Sequence, residues 1–229
     1  MLALAPGCSA LRQTAAPPPG FYSLDDAHLE ARSPSASPAT FSIDKPTLIV
    51  NPPHAASGFD SQRIIYVREP HKLEYFARSE WVDTPARMLA PLIVSAVETR
   101  GGAFRAVLLT PSAATGDLRL DTEITRLQHD FTSQPSRVRF TLRANLVDNR
   151  SRRVLALHEF DETVAAASET PYGGVIAANL AVQTVLEQLA RFCADAAANW
   201  HRSGAEAPKA TEDGATFSPT GANSRIDTR

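Results

Sequence analysis

"RVRFTLRANL", residues 137–146, alternates without a break. Val138, Phe140, Leu142, Ala144 and Leu146 fall on one side, and Arg137, Arg139, Thr141, Arg143 and Asn145 on the other. A period of two with one apolar and one polar face marks a strand whose sheet has one wet side, as antiparallel sheets do. "DNRS" (148–151) has turn chemistry and leads into "RVLALHEFDETV" (153–164), so the stretch reads as one long hairpin. Its apolar face requires a cover.

Two helical segments can supply that cover. In "GGVIAANLAVQTVLEQLARFCADAAANW" (173–200), Val182, Val185, Leu189, Phe192, Ala196 and Trp200 form a stripe at helical spacing. "TPARMLAPLIVSAVETRGG" (84–102) has Thr84 as N-cap, Pro85 at the first helical position and Gly101 as C-terminal cap. Met88, Leu89, Leu92, Ala96 and Val97 line its buried face, and Pro91 in the second turn predicts a mild kink. Further strands are expected at "TLIVN" (47–51), cut off by Pro52 and Pro53, at the short "FRAVLLT" (104–110), and at the alternating "DLRLDTEI" (117–124). "RIIYVRE" (63–69) and "KLEYFARSEWV" (72–82) flank Pro70–His71 as a second hairpin. The expected fold is α/β: a mostly antiparallel sheet of about five to seven strands packed with two main helices as a sandwich.

Among the 229 residues, 43% are hydrophobic and 21% charged, which suits one soluble domain with tails. A net charge of −2 gives no basic surplus for nucleic acid, and no apolar run approaches the ~20 residues of a membrane-spanning helix. The domain is expected over 44–202. Residues 9–43, with Pro17, Pro18, Pro19, Pro34 and Pro38, read as a Pro/Ala/Ser-rich tether, and 203–229 as a disordered tail. Within the tether, "GFYSLD" (20–25) offers Phe21, Tyr22 and Leu24 as residues that can dock on the domain. Cys193 lies in the long helix as a small buried thiol. Cys8 ends "MLALAPGC" (1–8), an apolar run and small residues before a cysteine, which has the look of a shortened lipoprotein signal; the alternative is a stray thiol.

Chemical signatures are sparse. The chain contains no GxSxG, HExxH, P-loop or GxGxxG pattern, its six histidines lack metal-ligand spacing, and no cofactor or metal is expected. His129 with Asp130, or His54 with Asp60 and Ser61, supply fragments of a triad, but such groups are far more often ordinary polarity of loops and sheets. Arg137, Arg139 and Arg143 share one strand face, either paired with Asp121, Glu123 and Asp161 across strands or forming an anion or lipid-headgroup patch. Tyr66, Tyr75, Phe76 and Trp81 crowd the second hairpin. They can face a partner, or, as suits Trp81 just before the Thr84 cap, wedge strand against helix.

"FYSLD" after a proline-rich tether, "RIIYV…LEYFARSEWVDTPARML" before a helix, and "VRFTLRANLVDNRSRRVLA" together resemble the ABC-type transport auxiliary lipoprotein family, over roughly 21–200. These are lipoprotein partners of MCE (mammalian cell entry) lipid-transport systems. The resemblance implies an α/β domain without enzymatic activity, lipidated at Cys8 and facing the periplasm, most plausibly from the outer membrane. It implies an MCE-domain protein and an ABC permease and ATPase as partners, and is compatible with a homo-oligomer. Other classes open on the residues alone are a periplasmic hydrolase and a binding module for peptidoglycan or a secretion complex. The signal segment is shorter than the family's, and the tail beyond 203 has no counterpart.

Overall fold

The computed structural model describes residues 18–25, 45–99, 102–111 and 115–205, the last five of these by backbone alone. The hairpin read from residues 137–164 forms its centre. Strands β7 (Leu118–Asp130), β8 (Arg137–Asp148) and β9 (Val154–Ala165) run antiparallel over nearly their full lengths. Val138, Phe140, Leu142, Ala144 and Leu146 are each at most 2% exposed, so the predicted apolar face is the inner face of the sheet.

The other edge of β7 departs from the expectation. It carries three short strands in parallel, one after another: β2 (Thr47–Val50), β3 (His54–Ala55) and β4 (Arg63–Val67). Outside β2 lies parallel β6 (Ala106–Leu109). Outside β4 lie antiparallel β5 (Glu74–Trp81) and then parallel β1 (Gly20–Tyr22). The sheet is therefore mixed and has nine strands among the described residues, in place of a mostly antiparallel one of five to seven. A strand buried on both faces shows no alternation, and all of "TLIV" in β2 is buried. β1 and β3 are too short to show a pattern.

Helices α1 (Pro85–Thr99) and α2 (Pro171–Ala205) join the inner face in one continuous core, which includes Leu89, Ile93, Phe140, Val182 and Leu189. On α1 the stripe is Leu89, Leu92, Ile93, Ala96 and Val97, with Met88 at its rim. The amides of Arg87 and Met88 donate to the Thr84 carbonyl, and the Asp83 carboxylate accepts the Thr84 N–H at 2.7 Å. The Gly101 cap lies outside the described residues. α2 begins before the expected Gly173, with a second Thr–Pro start. The Thr170 hydroxyl accepts the Gly173 N–H at 3.1 Å, and its carbonyl the Gly174 N–H at 3.0 Å. On α2, Val182, Val185 and Leu189 are buried, while Phe192, Ala196 and Trp200 pack half-buried at the core's margin. Cys193 is fully buried, and burial pushes its thiol up to about 12.

Residues 20–25, inside the stretch read as tether, belong to the fold. The Tyr22 carbonyl accepts the Val82 N–H at 2.8 Å, and Leu24 is buried. The Asn179 side chain accepts the Asp25 N–H at 2.9 Å and donates to the Ser23 carbonyl at 3.1 Å. Tyr22 and Leu24 dock, whereas Phe21 points outward, 60% exposed. Only residues 9–19 thus separate Cys8 from the sheet, a contour of about 40 Å when fully extended. Cys8 lies outside the described residues, as does the tail beyond 205.

Candidate functional site

The crowded aromatics are sorted by an irregularity in β5. Arg63 pairs with Glu80 and Ile65 with Tyr75, so two steps along β4 match five along β5. The three surplus residues reverse the alternation. Phe76 and Trp81, of opposite parity, therefore both pack on the inner core. Trp81 is 3% exposed and belongs to the same core cluster as α1, so it is a packing wedge and not part of any surface. Tyr75 turns to the outer face, exposed, with the Arg63 guanidinium 4.9 Å from its ring centre.

Tyr66 and Phe76 join Phe131 and His129 in one aromatic cluster. Ring centres are 4.5 Å apart for Tyr66–Phe76, 5.9 Å for Tyr66–Phe131 and 4.1 Å for His129–Phe131. Arg68 lies 5.1 Å from the Tyr66 ring and binds Glu74 through two nitrogens at 2.9 and 3.0 Å. Of the four aromatics proposed to meet a partner, Tyr75 is exposed, Tyr66 and Phe76 are half-buried, and Trp81 is buried.

His129 is the one member of a sequence-read triad fragment that the fold places in the interior. It is 2% exposed, Ser136 is fully buried, and His129 Nε2 lies 2.8 Å from Ser136 Oγ. The Ser136 backbone N–H donates to Glu169 Oε1 at 3.0 Å. Serine, histidine and carboxylate are adjacent, but in the wrong order for acyl chemistry. A nucleophilic triad needs the histidine between serine and carboxylate, with the carboxylate on Nδ1. Here the serine is in the middle, and Nδ1 has no hydrogen-bond partner. It abuts Gly174 of α2, where a Cβ would come within 2.4 Å. Burial holds the imidazole below its ordinary pKa, against the pull of Glu169 and Asp130. The Ser136 amide and hydroxyl hold the Glu169 carboxyl below its usual range. This knot fastens the start of α2 to the end of β7, with His129 and Ser136 both buried. His54 is exposed on β3, and among the described residues no hydrogen bond or ion pair joins it to Asp60 or Ser61.

On the outer face the arginines meet acids. Arg139 binds Asp161 at 2.6 and 2.8 Å, and Thr141 donates to the same carboxylate at 2.8 Å. Arg143 bridges Glu123 and Glu159 at 3.2 and 3.0 Å. The bonds from Arg139 and Thr141 hold Asp161 below the usual carboxylate range. Arg137 is exposed at the strand's start, with no ion pair among the described residues.

Two surface features went unread in the sequence. Tyr172, Ile176 and Leu180 form an exposed apolar line on α2, and the Tyr172 ring lies 6.3 Å from Tyr22. Starting the helix at Gly173 excluded its first member, and an exposed stripe has the same period as a buried one. At the opposite end, a broad concavity of about 1520 Å³ is lined by Asp117, Asn149, Arg150 and Arg153 with Phe192 and Trp200. There the Trp200 indole donates to Asp148 at 3.1 Å. Burial pushes the Asp148 carboxyl up, but the hydrogen bonds from Trp200, Ser151 and Arg150 outweigh it and hold it below its usual range. Among the described residues, no group of three or more ligating side chains is placed for a metal, and no helix is long and apolar enough to cross a membrane.

Residues 22–190 match the family described as ABC-type transport auxiliary lipoprotein component. Among solved structures, protein XCC0632 from Xanthomonas campestris has the same fold, with a TM-score of 0.64 at 23% identity, covering 69% of this chain and 89% of that one. An uncharacterized protein follows at TM-score 0.52 and 12% identity, covering 82% of this chain and 99% of that one. No curated protein matches the chain.

Proposed function

The chain belongs to the ABC-type transport auxiliary lipoprotein family, and we propose that it is a non-catalytic, lipid-anchored adaptor of an ABC/MCE-type lipid transporter, supporting outer-membrane lipid homeostasis. The match over 22–190, which takes in β2 to β9, all of α1 and the first part of α2, carries this reading. Membership of a lipoprotein family goes with a place in the cell envelope. Cys8 is the proposed anchor, on the periplasmic side of the outer membrane, and residues 9–19 the tether. Treated as a flexible coil, those residues give a root-mean-square reach of about 17–20 Å, so the domain stays near its membrane and meets a partner that approaches it. The proposed partner is the MCE-domain protein standing in the periplasm with its permease and ATPase. The order of the His129–Ser136–Glu169 contacts, with the serine in the middle, favours this reading over a hydrolase.

Deletion of the gene tests the proposal. The outer membrane should become more permeable to detergents and large antibiotics, and the intact gene should restore it. An unchanged barrier in the deletion strain would contradict the reading.

A further inference from the structure

Four strands pair on one side only among the described residues: β1, the two-residue β3, β6 and β9. β1 and β6 span three and four residues, while β9 spans twelve. A long open edge presents unpaired backbone groups and is a template for another strand.

The direction of those groups follows from the ladder. The Ala166 N–H donates to the Ser136 carbonyl at 2.8 Å, and Arg137 pairs with Ala165. Even-numbered residues of β9 from Ala156 onward therefore point their backbone at β8, and Leu157, Glu159, Asp161, Thr163 and Ala165 point theirs away. Between Leu146 and Val147 the register slips, so Val147 meets Val154 and Leu155 is the extra residue. That bulge turns Val154 to the same side as Leu157. They are 59% and 63% exposed.

Two of the usual deterrents, proline and lysine, are missing from this edge, and its bulge is confined to the Val154 end. Its outward acids, Glu159 and Asp161, are drawn back onto Arg143 and Arg139 of β8. The strand is also lopsided, apolar from Val154 to Leu157 and acidic from Glu159 to Glu162. Two copies paired antiparallel about the strand's centre would set one copy's apolar half against the other's acidic half. That arrangement disfavours self-pairing.

We infer that β9 is the docking edge for one extended segment of a heterologous partner, with apolar residues opposite Val154 and Leu157 and neutral or basic residues opposite Glu159–Glu162. This rests on the adaptor reading and assigns the contact to a strand. The probe is the purified MCE-domain subunit of the transporter, titrated against the full chain. Thr163→Pro removes one outward N–H and leaves the β8 ladder intact, since proline is tolerated on the free side of an edge. Leu157→Lys places a charge on the apolar half. Each should weaken binding at least tenfold with an unchanged melting curve, and the subunit should slow deuterium exchange at the outward amides. Leu180→Lys, on the α2 stripe, should bind as wild type. Full-strength binding by both edge variants would overturn the inference and leave the adaptor reading standing. No binding by the wild-type chain would overturn both. Loss of self-association on Thr163→Pro, with subunit binding intact, would assign the edge to a second copy and overturn it too.

Discussion

Replacing Gly174 by alanine should destabilise the protein, although the same change inside an exposed helix would stabilise it. In a helix interior, alanine is favoured over glycine by about 1 kcal/mol. At Gly174 the new Cβ would sit 2.4 Å from His129 Nδ1, 3.0 Å from Cε1 and 3.1 Å from Cγ. The ring cannot retreat cheaply, because Nε2 is tied to Ser136 at 2.8 Å and Phe131 packs at 4.1 Å between ring centres. Overpacking of this kind costs about 1–3 kcal/mol, at its upper end when the obstacle is a buried ring. The net loss is about 1–2 kcal/mol, or a fall of about 2–8 °C in Tm for a domain of this size. Thermal and urea unfolding followed by circular dichroism measure it. In a His129→Ala background the obstacle is gone, and Gly174→Ala should turn neutral or stabilising, so a double-mutant cycle isolates the contact. A rise in Tm for Gly174→Ala in the wild-type background would refute the packing of α2 on His129.

Three further outcomes are expected. Trp81→Ala should cost about 3–5 kcal/mol in denaturant unfolding, as loss of a buried indole does, and a cost below about 1 kcal/mol would deny its wedge role. The buried, neutral His129 has a depressed pKa, so its contribution is fully present above the ordinary histidine value and is lost as pH falls through the depressed folded one. Wild-type stability should therefore drop on acidification below about pH 6.5, and the drop should shrink in His129→Gln; equal pH slopes for the two proteins would contradict this. Cys8→Ser should move the protein from the membrane to the soluble periplasmic fraction, and a wild type that is already soluble would sink the anchor.

How far the sequence discloses the fold depends on what each strand faces. β8 and β9 are legible because one side meets the core and the other meets water. β7 is legible only to Ile124, where a slip before Arg126 breaks the alternation; beyond it Leu127 and His129 resume the inner face. The parallel pairing of β2, β3 and β4 along one edge of β7 depends on contacts between distant segments, which local pattern does not encode. The start of α2 was readable in Thr170–Pro171, the same cap that announced α1, but Gly173–Gly174 masked it. For the candidate surface, the pairing of Arg139 and Arg143 with acids followed from strand spacing. The separation of Phe76, Tyr75 and Trp81 required three surplus residues in β5 that no periodicity announces.

The adaptor claim is tested most directly by mild crosslinking of the lipidated protein in the native envelope, followed by its purification and identification of what is attached. The account predicts recovery of the MCE-domain subunit, with permease or ATPase alongside, and no turnover of ester or glycan substrates by the purified domain. Recovery of no transporter subunit, together with measurable hydrolysis by that domain, would contradict it.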